Sequence, residues 1–167
     1  LTGLAERPER ALRLGADVFI SIHHDSVNQK YKKTWIPPGQ TQSREYSDKF
    51  RGYSVFSSKK NPKPEESKAL ALLVGAAMRE AGFEPTLHHA EKIPGENRPL
   101  INRRTGVYEF TDLVVTKAAA LPSILLECGV IAHRDEELEV SQRSYQERVG
   151  NAILSALIEA RSKRVLP

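Results

Sequence analysis

Residues 15–26 read GADVFISIHHDS. From Val18 to Ile22 the run is apolar except for Ser21, rich in β-branched and aromatic side chains, and too short for a helix, which predicts a buried strand. Gly15 suits the end of a preceding helix. His23, His24 and Asp25 follow directly. A second run of the same kind, SILLE at 123–127, leaves its apolar stretch on Glu127. In an open α/β sheet, ligands bind outside the carboxyl ends of the strands. Two strand ends that carry imidazole and carboxylate groups therefore mark the candidate site. Neighbouring residues of a strand point to opposite faces, so only one of His23 and His24 can share a face with Glu127. A His beside a carboxylate at such an edge is what metal-assisted hydrolysis needs: zinc polarises a carbonyl and acidifies water, and the carboxylate takes and returns the proton. The same spacing also suits plain loop entries, so by spacing alone the chain is an α/β domain with hydrolase chemistry open to it.

Working outward, residues 6–14 predict a short helix, with Leu4, Ala11, Leu12 and Leu14 available for an apolar face. Residues 26–52 are polar, with Pro37, Pro38, Gly39 and Gly52, and predict a long rim loop. YSVFS at 53–57 is a further strand candidate. Residues 61–82 are the clearest helix: Pro64 suits its first turn, Glu65 and Glu66 its positive dipole end, and Gly82 its stop. Ala69, Leu72, Leu73, Ala76 and Ala77 are taken as its apolar face. Residues 83–106 are loop-like, DLVVT at 112–116 reads as a strand, RDEELEV as a short helix, and 145–164 as a long terminal helix. Strands alternating with helices imply one domain: an α/β fold with an open, largely parallel sheet and helices on both faces.

Composition narrows the function classes. The net charge of +4 favours loose attraction to anionic polymers without choosing among them. No Gly-rich phosphate loop, stacked aromatic–basic pattern or zinc-finger spacing occurs, which argues against nucleic acid. No apolar run reaches transmembrane length. The single cysteine, Cys128, leaves no internal disulfide and no multi-cysteine metal site. It should point away from Glu127 and behave as a small buried hydrophobe. Nothing in the sequence sets an oligomeric state.

Two motifs carry a resemblance. GADVFISIHHD resembles the ADLFISIHAD segment of zinc-dependent N-acetylmuramoyl-L-alanine amidases, and LPSILLECGVIAHRDEEL resembles their MPAVLVELGFLSNPEE segment. The strand–helix stretch YSVFSSKKN…ESKALALL between them is also similar. The resemblance implies a peptidoglycan hydrolase that cleaves the amide between N-acetylmuramic acid and L-alanine, with a zinc cofactor and a periplasmic or extracellular location at the cell envelope. It makes His23 a zinc ligand and Glu127 the catalytic glutamate. His24 falls where the family often has a small residue, and Asp25 is expected to orient neighbouring groups by hydrogen bonds. In the loop PTLHHAEKIPGENRPL, His89, Glu96 and Arg98 are candidates for substrate contact, the Arg because its fork suits a peptide carboxylate. His88 reads as solvated loop, and His133 as loop structure. NQKYKKTW at 28–35 mixes lysines with Tyr31 and Trp35 and could grip glycan.

The chain also departs from the pattern. The resemblance implies a second histidine ligand in a GHGG-like loop and a glutamate ligand about one helix further on, both before Leu1. Neither motif occurs here. The unit at 1–167 is therefore expected to be truncated at its N-terminus, missing a strand that sits inside the family's sheet. The alternative is a catalytically incomplete module of the same fold that binds cell wall or regulates.

Overall fold

The computed structural model describes residues 3–167. Residues 1 and 2 of the expected unit lie outside them. Helix α1 (Glu6–Arg13) leads into strand β1 (Phe19–Asp25), whose β-branched and aromatic residues favour an extended backbone. The short strands β2 (Lys33–Trp35) and β3 (Arg44–Tyr46) follow, then β4 (Ser54–Ser57) and helix α2 (Pro64–Glu80). Strands β5 (Leu100–Asn102) and β6 (Val107–Glu109) precede helix α3 (Val114–Lys117) and strand β7 (Ser123–Val130). Helices α4 (Arg134–Val140) and α5 (Arg143–Ser162) complete the chain.

The main sheet has the order β1-β7-β4-β6-β5. β1 pairs with β7, and β4 with β6, in parallel; β4 against β7 and β5 against β6 are antiparallel. This is the expected open α/β sheet, and it is mixed. In this sheet only β5 and β6 are joined by a local turn; β7 reaches both β1 and β4 through long connections. Each face has its own core. Val55, Val107, Ile124, Leu126 and Cys128 point towards α2 and α5 and are buried there with Leu70, Val74 and Met78. Phe56, Tyr108 and Leu125 point the other way and pack with Val115 of α3. β1 forms one edge of the sheet, and Ile22 on it is exposed.

Several expectations are corrected. The 26–52 segment is not all loop: β2 and β3 pair antiparallel as a hairpin after a 3₁₀ turn at Gln29–Tyr31. Residues 83–106 contain β5 and the turn into β6, set by Asn102 Oδ1 accepting from the amides of Arg104 and Thr105, with Gly106 at positive φ. DLVVT is not a strand: it enters the helical turn α3, where Thr116 is buried and its hydroxyl donates to Leu113 O. Tertiary packing overrides the β preference of its valines there. The buried face of α2 is Leu70, Ala71, Val74, Gly75, Ala77 and Met78; it includes Ala77 of the expected face but is otherwise rotated from it. Residues 69–78 are apolar or glycine at every position, so their periodicity carries no phase. On α1, Leu4, Leu12 and Leu14 remain exposed rather than forming a covered face.

The segments that frame the site are tied to the end of β7 by polar contacts. Glu136, almost fully buried, accepts from the amides of Gly52 and Val130. Ser47 N donates to Ala132 O. The His133 side chain caps α4 by accepting from Glu136 N, so His133 is a buried cap rather than plain loop. The rim segment is thus held as part of the fold.

Candidate functional site

The parallel pairing sets His23 opposite Glu127 and then slips, so that Asp25 meets Val130. By strand alternation His23, Asp25, Leu125 and Glu127 share one face. A cavity of about 300 Å³ opens on it, at the carboxyl ends of β1 and β7, lined by Asp25, His89, Glu96, Arg98, Phe110 and Glu127 among others. His23 is exposed and lies outside that lining. His24 lies on the opposite face, with Cys128 and residues of α5.

Asp25 is the centre of a buried polar network. Its Oδ2 lies 2.8 Å from His89 Nε2, and His89 Nδ1 lies 2.9 Å from Glu96 Oε2. With a carboxylate at each nitrogen, His89 holds both ring protons. Burial opposes that charge, but the hydrogen bonds to Asp25 and Glu96 more than offset it, and the pKa rises to about 9. Burial also works against ionised Asp25, and the adjacent His88 and His89 imidazoles, with the hydrogen bond from His89, outweigh it, to leave a pKa of about 2. His88, expected in a solvated loop, is instead 2% exposed. Its Nδ1 meets Thr86 Oγ1 at 2.8 Å, and Phe50 stacks on its ring. His88 Nε2 lies 3.3 Å from Asp25 Oδ2 but outside hydrogen-bond geometry, so it has no hydrogen-bond partner.

Glu127 stands apart from the network. Its Oε2 is buried without a hydrogen-bond partner. Burial, then the charge of Asp25, raises its pKa to about 7, with His89 pulling the other way. A carboxyl that changes state near neutrality is suited to accept and return a proton. Cys128, facing the other way, is pushed up to about 12 by burial and is inert as a nucleophile at neutral pH.

The loop carrying His89 closes on itself, because Arg98 N donates to His89 O at 2.7 Å. The Arg98 guanidinium lies 3.8 Å from the centroid of Phe110 and donates to Gly95 O. The structure thus brings Asp25, His89, Glu96, Arg98 and Glu127 to one cavity. His88 is the member that sequence reasoning placed wrongly. Its only sequence signal was adjacency to His89, because the partner that buries it lies far away in the chain.

The network also has the donor set of a metal site. Asp25, His88 and His89 each offer a ligand atom, all within 4.8 Å of one another. The far nitrogens of the two histidines are held by Thr86 and Glu96, the outer contacts that orient metal-binding imidazoles.

Comparison with known proteins places the chain. The profile of a family described as N-acetylmuramoyl-L-alanine amidase matches residues 2–159. The probable N-acetylmuramoyl-L-alanine amidase AmiB of Haemophilus influenzae is 25% identical, over 92% of this chain and 37% of that protein. Among solved structures, the N-acetylmuramyl-L-alanine amidase Ami1 from Mycobacterium smegmatis superposes with a TM-score of 0.66 at 18% identity, over 93% of this chain and 59% of that one. The catalytic domain of the N-acetylmuramoyl-L-alanine amidase CwlV from Bacillus (Paenibacillus) polymyxa var. colistinus gives 0.64 at 21%, over 97% of this chain and 67% of that one. These likenesses bear out the fold. The chain spans little more than a third of the curated relative it matches.

Proposed function

The chain belongs to the N-acetylmuramoyl-L-alanine amidase family, and on that premise we propose that it is a peptidoglycan hydrolase, cleaving the amide between N-acetylmuramic acid and L-alanine at the cell envelope. The observation that carries the reading is Glu127: a carboxyl at the family's motif position, with an unpartnered oxygen, beside a cavity at the carboxyl ends of two parallel strands. In this reading Glu127 takes a proton from the attacking water and delivers it to the leaving amine. Arg98, its guanidinium over the Phe110 ring, offers its remaining donors to a peptide carboxylate. His89 and Glu96 line the same cavity, where they would contact the substrate.

Zinc is the cofactor we propose. The residues present fit it: two imidazoles and a carboxylate converge, one imidazole nitrogen has no hydrogen-bond partner, and the outer nitrogens are already oriented. Asp25, His88 and His89 would hold the ion after His89 gives up a proton. When bound, zinc supplies a Lewis acid that polarises the scissile carbonyl and acidifies water. The resemblance assigns a ligand role to His23 instead, in register with Glu127 on the same face. The two ligand assignments differ in outcome. Zinc per chain is measured for the parent, His23→Ala and His88→Ala. Loss of the ion in His88→Ala alone supports the cluster, and loss in His23→Ala alone supports the motif ligand.

The experiment for the activity is cleavage of purified muropeptides compared with generic peptides. Release of L-alanine-terminated peptide, abolished by Glu127→Ala with zinc retained, is the expected result. Turnover that persists in Glu127→Ala refutes the assignment. A parent chain that binds wall polymer but neither holds zinc nor cleaves it would be the incomplete, binding form of the fold.

A further inference from the structure

A second cavity, of about 530 Å³, lies beside the first, between the 3₁₀ turn and the β2–β3 hairpin. Lys30, Lys33, Lys49 and Arg134 line it, with Tyr31 and Tyr46. Nearby carboxylates are already engaged: Asp48 pairs with Arg134, Glu45 with Lys32, and Glu91 accepts from the Tyr31 hydroxyl. Among the described residues, no carboxylate lies within ion-pair distance of Lys30, Lys33 or Lys49. Two of these ammonium groups converge on one ring: Lys49 Nζ is 3.8 Å and Lys30 Nζ 4.6 Å from the Tyr31 centroid. Like charges gathered around one ring are relieved by an anion bound beside them. The Tyr31 ring is pinned by its hydroxyl, and Tyr46 lies under the Arg134 guanidinium, so both aromatics are fixed walls.

The two cavities share a wall. Asn28 lines the first, caps the turn by accepting from Lys30 N, and donates to Pro94 O. Lys30 and Tyr31 line the second from the other side of that turn. A polymer lying in the first cavity therefore needs to cross only one turn to reach the second.

We propose that this groove is a binding site for a polyanionic, sugar-containing polymer, which it grips next to the bond held in the first cavity. The inference rests on the peptidoglycan reading above and gives that site a second point of attachment. Lysines supply charge, and the two tyrosines supply faces on which sugar rings pack. The anionic groups are either carboxylates of peptide stems or phosphates of an accompanying wall polymer.

The test is adsorption of the full chain to purified peptidoglycan sacculi, followed by sedimentation. It reads binding rather than turnover, so it stands whether or not Glu127 cleaves the polymer. The triple variant K30E/K33E/K49E is expected to bind about tenfold more weakly or worse at low salt, with the parent's salt sensitivity largely gone. K30R/K33R/K49R should bind like the parent. A control, R143E/R161E/K163E, reverses three cations at the two ends of α5, across the sheet, and makes the same change in net charge; it should keep most of the binding. Amidating the carboxylates or stripping the phosphate polymer identifies the source of the charge, since the parent loses adsorption after whichever treatment removes it. Unchanged adsorption of K30E/K33E/K49E, equal loss in the α5 control, or parent adsorption that survives both treatments overturns the proposal.

Discussion

Glu127 and His89 sit in one pocket with opposite electrostatic effects on the fold. For Glu127 the folded pKa lies above its ordinary value of 4.5, at about 7. Its contribution is fully present below pH 4.5 and is lost as pH rises through 7. In the metal-free chain, Glu127→Gln should therefore be more stable than the parent above pH 7, by on the order of 3 kcal/mol, with the gain fading towards pH 4.5. Urea unfolding at both pH values checks this; equal gains at the two would sink the burial explanation. His89 differs in that its charged form is the stabilised one, although its contribution changes with pH in the same direction. Raised to about 9, it contributes stability that is complete below 6.5 and lost as pH climbs through 9. Asp25, lowered to about 2, contributes above 3.8 and loses its part as pH falls through 2. The network is therefore strongest between those limits, in the window from 3.8 to 6.5. His89→Ala leaves Asp25 and Glu96 without their shared cation and should cost about 3 kcal/mol at pH 6. An unfolding midpoint that does not move would mean that water replaces the imidazole. Glu127 and His89 were both legible as polar residues at a strand end and in a loop. Their pKa values were not, because burial and partners set them.

Among the elements, α2 shows where pattern reading stops. Its ends follow from Pro64, the glutamates beside it and Gly82, all local signals. Its rotation does not, because the helix is apolar on most sides and the buried face is chosen by close approach. A Cβ on Gly75 would lie 2.4 Å from Thr105 O, so the helix needs a hydrogen there to reach the turn between β5 and β6. Gly75→Ala should cost about 2 kcal/mol and lower Tm by roughly 4–8 °C, read by calorimetry. Gly150 in α5 makes the contrast: a Cβ there meets nothing within 4 Å. Gly150→Ala should raise stability by about 0.5–1 kcal/mol through helix propensity alone. If both substitutions move Tm in the same direction, the packing argument for Gly75 fails. The β2–β3 hairpin was missed for a related reason. Its strands are three residues each and mostly exposed, so they carry too few alternations to register as a period.

Across the whole molecule, binding and folding are linked through the site. If Asp25, His88 and His89 hold zinc, the ion binds only the folded chain, and free zinc at about 100 times its Kd should add about 2.7 kcal/mol of stability. A Tm that rises with zinc, returns with a chelator and is insensitive to zinc in His88→Ala is the expected pattern; a rise of the same size in His88→Ala would locate the ion elsewhere. From the chain's local order alone came the α/β class, the strands at 18–22 and 123–127, which the fold carries on to Asp25 and Val130, the helices α2 and α5, and the motifs of the family. Each is a property of a few consecutive residues, where side-chain size, branching and charge act directly on the backbone. What the fold settled is which groups meet. Asp25 and His89 lie 64 positions apart in sequence and 2.8 Å apart in space. The burial of His88, the cation on His89 and the lone oxygen of Glu127 all follow from that closure, because charge and solvation depend on three-dimensional neighbours.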